Sequence, residues 1–196
     1  MKKNLSFLLI PFFMNAQIDD TKDRMNNKGF FNITKFTYTK TTALEQDVFI
    51  SGEGNFSYDL KTNNAQSFAL QTINGYFFNP HFSVGLGVGL EGHKTPTLNT
   101  FPIFIDIRTY LKDDYSSPFA FLDFGGLAHF GNEFNRGNMF AIGVGYKFFP
   151  GEKRNIGLVT DISFSAKNIS LTEETLKTSN NNITTRGVSL SLGIIF

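Results

Sequence analysis

From Gly187 to Phe196 the chain alternates, with Val188, Leu190, Leu192, Ile194 and Phe196 on one side and Gly187, Ser189, Ser191, Gly193 and Ile195 on the other. Successive side chains of an extended strand point to opposite faces, so a two-residue period fits a strand with one apolar face and excludes a helix. The same period recurs along the chain. Phe82, Val84, Leu86, Val88 and Leu90 alternate with Ser83, Gly85, Gly87, Gly89 and Glu91; Phe101, Ile103, Ile105 and Ile107 alternate with Pro102, Phe104, Asp106, Arg108 and Tyr110. Phe140 to Phe149 and Ile156 to Ser165 follow the rule, and Phe30–Lys40, Gln66–Phe77 and Pro118–Phe130 complete a set of eight strands. An even number of antiparallel strands, each near the length of a tilted bilayer crossing, predicts a closed all-β barrel.

Two barrels share this period: a membrane barrel with its apolar face outward and a soluble one with that face inward. The polar face carries Gly, Ser and Ala with isolated charges rather than the Lys, Glu, Thr and Gln of a solvated sheet. Small residues fit a narrow lumen, so the expected fold is an eight-stranded antiparallel up-and-down transmembrane β-barrel. Connections alternate in length. Asn79–His81, Lys112–Ser117 and Pro150–Lys153 read as short turns, and Thr41–Ala65, Gly92–Asn99, Gly131–Asn135 and Ile169–Ile183 as loops at the other end, which places the latter outside the cell. Tyr76, Phe77, Phe78, Phe82, Tyr110, Tyr115, Phe119, Tyr146, Phe148, Phe149 and Phe196 are expected to form an aromatic girdle at the short-turn end. Phe36, Tyr38, Phe68, Phe101, Phe130 and Phe140 are expected to form a second one.

The first residues read as an export signal: Lys2 and Lys3, an apolar run from Leu5 to Met14, and Ala16 before a cut at Gln17. The run is about half the ~20 residues of a spanning helix. The expected organisation is therefore a signal peptide at 1–16, a polar periplasmic lead-in at 17–28 and a barrel at 29–196. Lys+Arg 18 against Asp+Glu 17 leaves no basic footprint for nucleic acid, and the absence of cysteine excludes disulfides, Cys-zinc sites and a thiol nucleophile.

With signal, strand grammar, loop alternation and a terminal aromatic in hand, the chain from Gly29 to Phe196 resembles the small eight-stranded outer-membrane barrels of the OmpA/OmpX type. Gly75-Tyr76-Phe77-Phe78-Asn79-Pro80 and Gly193-Ile194-Ile195-Phe196 look like those of outer membrane β-barrel domain proteins. The resemblance implies a bacterial outer-membrane location and a Phe196 that signals to the barrel-assembly machinery. It implies no single task.

Candidate site residues fall into three groups. Asp106, Arg108, Asp123, Lys147 and Asp161, with Lys35 if its face is right, would point into the lumen; an ion path competes with mutual pairing in a filled interior, and the latter is expected because unpaired buried charge is costly. Glu91, His93 and His129 lie on the lumenal side near the outer rim, where they would suit acid–base work in a lipid acyl hydrolase or acyltransferase, or metal ligation; no Ser is selected as nucleophile, and neither a metal nor a cofactor is expected. Asp47–Ile50, Ser51–Gly54 and Asn55–Leu60 read as a hairpin running on from the first two strands, and Val48, Ile50, Phe56 and Tyr58 would meet an extracellular partner. The expected protein is a monomer surrounded by outer-membrane lipid, with a structural or surface-interaction role. A lipid-modifying enzyme is the alternative, and a small-solute pore comes third.

Overall fold

The computed structural model describes residues 27–50, 52–114, 116–129, 134–150, 156–171 and 178–196. The expected signal peptide and its cleavage site, most of the lead-in, Tyr115 and Phe130 lie outside the described residues. Every regular element among those described is a strand: β1 (Gly29–Ile50), β2 (Gly54–Asp59), β3 (Gln66–Asn79), β4 (Phe82–His93), β5 (Leu98–Tyr110), β6 (Ser117–His129), β7 (Phe134–Phe148), β8 (Gly157–Leu171) and β9 (Thr178–Ile195). All but β2 form a ring of antiparallel neighbours in chain order, closed by β1 against β9. At the seam Asn32 and the terminal Phe196 exchange both backbone hydrogen bonds, at 2.8 and 3.0 Å. The protein is a closed eight-stranded antiparallel barrel. No sheet edge remains in the ring, which is how a strand structure tolerates hydrocarbon.

The alternation settles which way the wall faces. Leu86, Leu90, Ile142, Val144, Ile162, Leu190 and Leu192 are exposed on the outside, whereas Asp106, Arg108, Asp123, Lys147 and Asp161 are buried inside. A soluble barrel would have the reverse. The outer face is not wholly apolar, however: Asn32 and Thr34 of β1 and Thr72 and Asn74 of β3 interrupt it with a hydrogen-bonded cluster.

The interior is packed in layers. At the short-turn end Phe31, Phe77, Phe104, Tyr110, Phe119 and Phe121 fill it with rings. Glycines opposite them are required for space: a Cβ at Gly87 would overlap the Phe104 ring, and one at Gly75 the Phe31 ring. Phe77, Tyr110 and Phe119 therefore do not belong to the girdle expected from sequence, because their positions fall on the inward phase of the alternation. Tyr76, Phe78, Tyr146, Phe148 and Phe196 do face outward, joined by Phe30. At the other end Phe36 stacks on Phe68 at 6.0 Å, and Tyr38 packs on Phe68 at 5.3 Å. Between the ring layer and the outer mouth the lumen is lined by hydroxyls. Thr37 meets Ser191 at 3.0 Å and Thr39 meets Ser189 at 2.9 Å, a ladder along the closing seam, and Ser165 of β8 meets Ser189 at 3.3 Å beside it.

The outer end departs most from expectation. Much of what reads as loop in Thr41–Ala65 and Ile169–Ile183 is strand: β1 runs on to Ile50, β8 reaches Leu171 and β9 begins at Thr178. The added parts of β8 and β9 are mostly polar, with Ile169 and Ile183 buried singly among them, so no apolar period announces them, whereas the added part of β1 holds the first hairpin arm expected from sequence. A bulge between Thr41 and Ala43 reverses the phase of β1. Below it Thr37, Thr39 and Thr41 point inward; above it Leu44 does, and Gln46, Val48 and Ile50 share its face. The second arm of the hairpin does not run on into the ring: β2 ends at Asp59, and β3 begins only at Gln66.

Candidate functional site

Two places concentrate chemistry: the lumen and the hairpin above it. In the lumen the period of β5 puts Asp106 and Arg108 on one inward row, and the guanidinium grips the carboxylate through Nε at 2.8 Å and Nη2 at 2.9 Å. Arg108 also lies over the rings of Phe119 and Phe121, at 5.0 and 5.4 Å. Register places Asp123 of β6 beside Asp106. Lys35 of β1 reaches across to Asp123 at 3.9 Å and to Asp161 of β8 at 3.7 Å. Lys147 stands apart. Its ammonium bonds the side chain of Asn27 and sits among Phe77, Tyr110 and Phe149, while the Asn27 amide donates to the Pro80 carbonyl at 2.7 Å. The lead-in thus ends inside the barrel, with Asn27 buried.

Nearer the outer mouth Glu91 is buried and receives the Lys167 ammonium from the facing wall, the Ser67 hydroxyl at 2.7 Å and the Thr100 hydroxyl at 3.5 Å. His93 Nε2 lies 3.5 Å from Glu91 Oε1. His129 pairs with Thr100 in the backbone ladder, next to Glu91 in turn; its side chain lies outside the described residues. Glu91 and His93 thus come together. The Ser67 hydroxyl is bound to the carboxylate rather than to the imidazole, which is not the arrangement that activates a nucleophile. Lys167, Ser67 and Thr100 carry no signal in the sequence beyond their inward phase, and Lys167 is recognisable only once β8 is known to extend past Ser165. Among the described residues no three His, Asp or Glu converge as metal ligands. Between the two charged layers lies a cavity of about 30 Å³, lined by Lys35, Thr37, Asp123, Ser163 and Ser191 among others. It has room for about two waters, not for a solute path.

The hairpin is built by its turn. Gly52 and Gly54 adopt positive φ, at 90° and 104°, a backbone region that a side chain strains. Glu53 N–H closes the turn onto the Ile50 carbonyl at 3.0 Å. Val48 faces Phe56, and Gln46 faces Tyr58. Val48, Ile50, Phe56 and Tyr58 therefore share one face, the one continuous with the barrel interior through Gln46 and the buried Ile183. Phe56 and Tyr58 stack at 6.5 Å and remain exposed. The opposite face carries Glu45, Asp47, Ser57 and Asp59; Glu45 is held by Arg186 at 2.9 Å, and Ser57 donates to Asp47. From Glu45 to Asp59 there are four acids and no Lys or Arg.

No family model matches the chain, and no curated protein matches it in sequence. Solved structures do. The solid-state NMR structure of outer membrane protein AlkL in DMPC lipid bilayers aligns with a TM-score of 0.51 at 15% identity, over 90% of this chain and 93% of that one. Neisserial surface protein A aligns at 0.44 and 11% identity, over 84% and 98%. The outer membrane protease OmpT from Escherichia coli aligns at 0.47 and 9% identity, over 85% and 96%. At such identities the likeness is one of fold, and the first of the three carries it: this chain has the fold of a small outer-membrane β-barrel.

Proposed function

We propose that the protein is a bacterial outer-membrane barrel, exported by cleavage after Ala16 and assembled through its C-terminal strand and Phe196, whose role is surface interaction through the β1–β2 hairpin. The observation that carries this reading is the open edge of β2. Among the described residues β2 pairs only with β1. Leu60 N–H donates to the Leu44 carbonyl at 2.8 Å. By the alternation of an antiparallel ladder, Tyr58, Phe56 and Gly54 then bond β1, and Asn55, Ser57 and Asp59 aim their backbone groups at the open edge. An extended partner segment satisfies that row by adding a strand. Its apolar side chains would lie beside Phe56 and Tyr58, and its basic ones beside Ser57 and Asp59, on the face that also carries Asp47. The fitting partner is thus an extended, alternately apolar and basic segment of another protein. The filled lumen favours this role over conduction.

The test uses a labelled peptide alternating Val and Lys, and the same peptide N-methylated along the edge that would pair. The full chain in lipid vesicles should bind the first at least about tenfold more tightly than the second, since methylation removes donors without changing charge or side chains. Replacing residues 47–58 by a short Gly-containing turn should abolish binding while the barrel still shifts in gel mobility on heating. Equal binding of both peptides, or binding that survives loss of the hairpin, would overturn the proposal.

A further inference from the structure

The polar cluster on the lipid-facing wall has no part in the hairpin or the lumen. Asn32 and Thr34 of β1 stand opposite Asn74 and Thr72 of β3. The Asn32 amide donates to Asn74 Oδ1 at 2.8 Å and to Thr72 Oγ1 at 3.0 Å, Thr34 donates to Asn32 Oδ1 at 3.2 Å, and the two threonine hydroxyls are 3.3 Å apart. On all sides the outward neighbours are apolar or aromatic: Phe30 and Tyr76 toward the short turns, Phe36 and Leu70 toward the outside, Leu86 on β4, Leu192 and Ile194 on β9. The cluster therefore lies within the hydrocarbon belt. Asn32 spends both its N–H groups inside the cluster, whereas Asn74, which is exposed, accepts from Asn32 and donates to no group among the described residues. An amide donor aimed at acyl chains finds no acceptor there.

We infer that a second copy of this chain docks on the β1–β3 wall, with the Asn74 carboxamides of the two copies paired across a two-fold axis along the membrane normal. A primary amide is complementary to itself: each Nδ2 donates to the other's Oδ1, which retains a lone pair after accepting from Asn32. A two-fold axis is the symmetry that brings identical groups together. The exposed Phe30, Leu70, Leu86 and Leu192 supply the packing around it. Polar side chains on lipid-facing surfaces act as such glue because hydrocarbon offers them nothing else. Such a dimer would stand in place of the monomer expected from sequence.

The experiment follows energy transfer between donor- and acceptor-labelled copies of the full chain in phosphatidylcholine vesicles as the protein-to-lipid ratio is lowered. The wild type should associate, and Asn74→Leu should weaken association about tenfold. The absence of native cysteine allows a position-specific second readout. Leu86→Cys, directly opposite Asn74 in the ladder, should cross-link with a short bis-maleimide, and Ile142→Cys on the far wall should not. Adding Asn74→Leu to Leu86→Cys should suppress the cross-link. Heat-dependent gel mobility confirms that each variant is folded. A wild type that stays monomeric at every ratio, unchanged association in Asn74→Leu, or equal cross-linking from positions 86 and 142 would overturn the inference.

Discussion

The acids of the lumen and those of the hairpin are the same residue types under opposite rules. Inside, Asp106, Asp123, Asp161 and Glu91 each lie within ion-pair reach of Arg108, Lys35 or Lys167. On the hairpin, Asp47, Glu53 and Asp59 have no basic neighbour within their own segment, and among the described residues only Glu45 is bridged, by Arg186. Burial makes an unpaired charge costly, so each lumenal carboxylate lies against a cation, Asp123 and Asp161 sharing Lys35, whereas water lets the hairpin keep acids in surplus. The difference teaches that charge fills space in one region and remains available in the other.

The largest effect should come from breaking the buried side of that comparison. Arg108→Met strips Asp106 of the guanidinium's hydrogen bonds in a dry interior and should cost about 3–5 kcal/mol, measured as reversible unfolding in lipid vesicles. If the loss is negligible, the lumen is wetter than its packing indicates. Next comes the wall itself. Ile162 faces lipid and its neighbour Ser163 faces the lumen. Ile162→Lys should cost about 2–4 kcal/mol in the same assay. Ser163→Lys, entering the layer of Asp161 and Asp123, should cost less, and the reverse order would mean that the faces are misassigned. The smallest effect on folding belongs to the hairpin: Asp59→Asn should leave the unfolding midpoint unchanged and weaken capture of the Val–Lys peptide. A shifted midpoint would show that this acid serves the barrel after all.

The strands within the membrane were legible because hydrocarbon outside and a crowded lumen inside impose a clean period of two, and that period alone turned Asp106, Arg108, Asp123, Lys147 and Asp161 inward. Aromatic residues blurred it. Phe and Tyr occur on both faces, in the girdles and in the lumenal ring layer, so Phe77, Tyr110 and Phe119 were assigned by their height in the wall rather than by their phase. The upper parts of β8 and β9 are illegible because Ile169 and Ile183 stand singly among polar residues and set no alternation, whereas the upper part of β1 is legible as the first arm of the hairpin. The bulge at Thr41/Ala43 has no residue signature, yet it decides that Val48 and Ile50 face as Phe56 and Tyr58 do. At the outer cluster Glu91 and His93 could be read from β4 alone, but the partner that reaches Glu91 from across the barrel, Lys167, depends on where β8 stops. Asn32 and Asn74 carry no signal in the sequence, because each sits alone in an otherwise ordinary strand and only the β1–β3 register makes them neighbours.

The hydroxyl ladder between β1 and β9 bears on how the cylinder finds its one correct closure. Every other pair of adjacent ring strands is tied by an intervening connection, but the first and last strands meet with nothing between them to dictate their offset. Thr37 on Ser191 and Thr39 on Ser189 are matched teeth. Gly193 is the notch that admits Lys35, where a Cβ would collide with that side chain. A slip of one residue would turn the teeth out into lipid, and a slip of two would pair hydroxyls anew but drive Lys35 against Ser191 or Ile195. The seam thus works as a key that turns in a single position, so that the strand made last is checked against the strand made first before the wall is sealed.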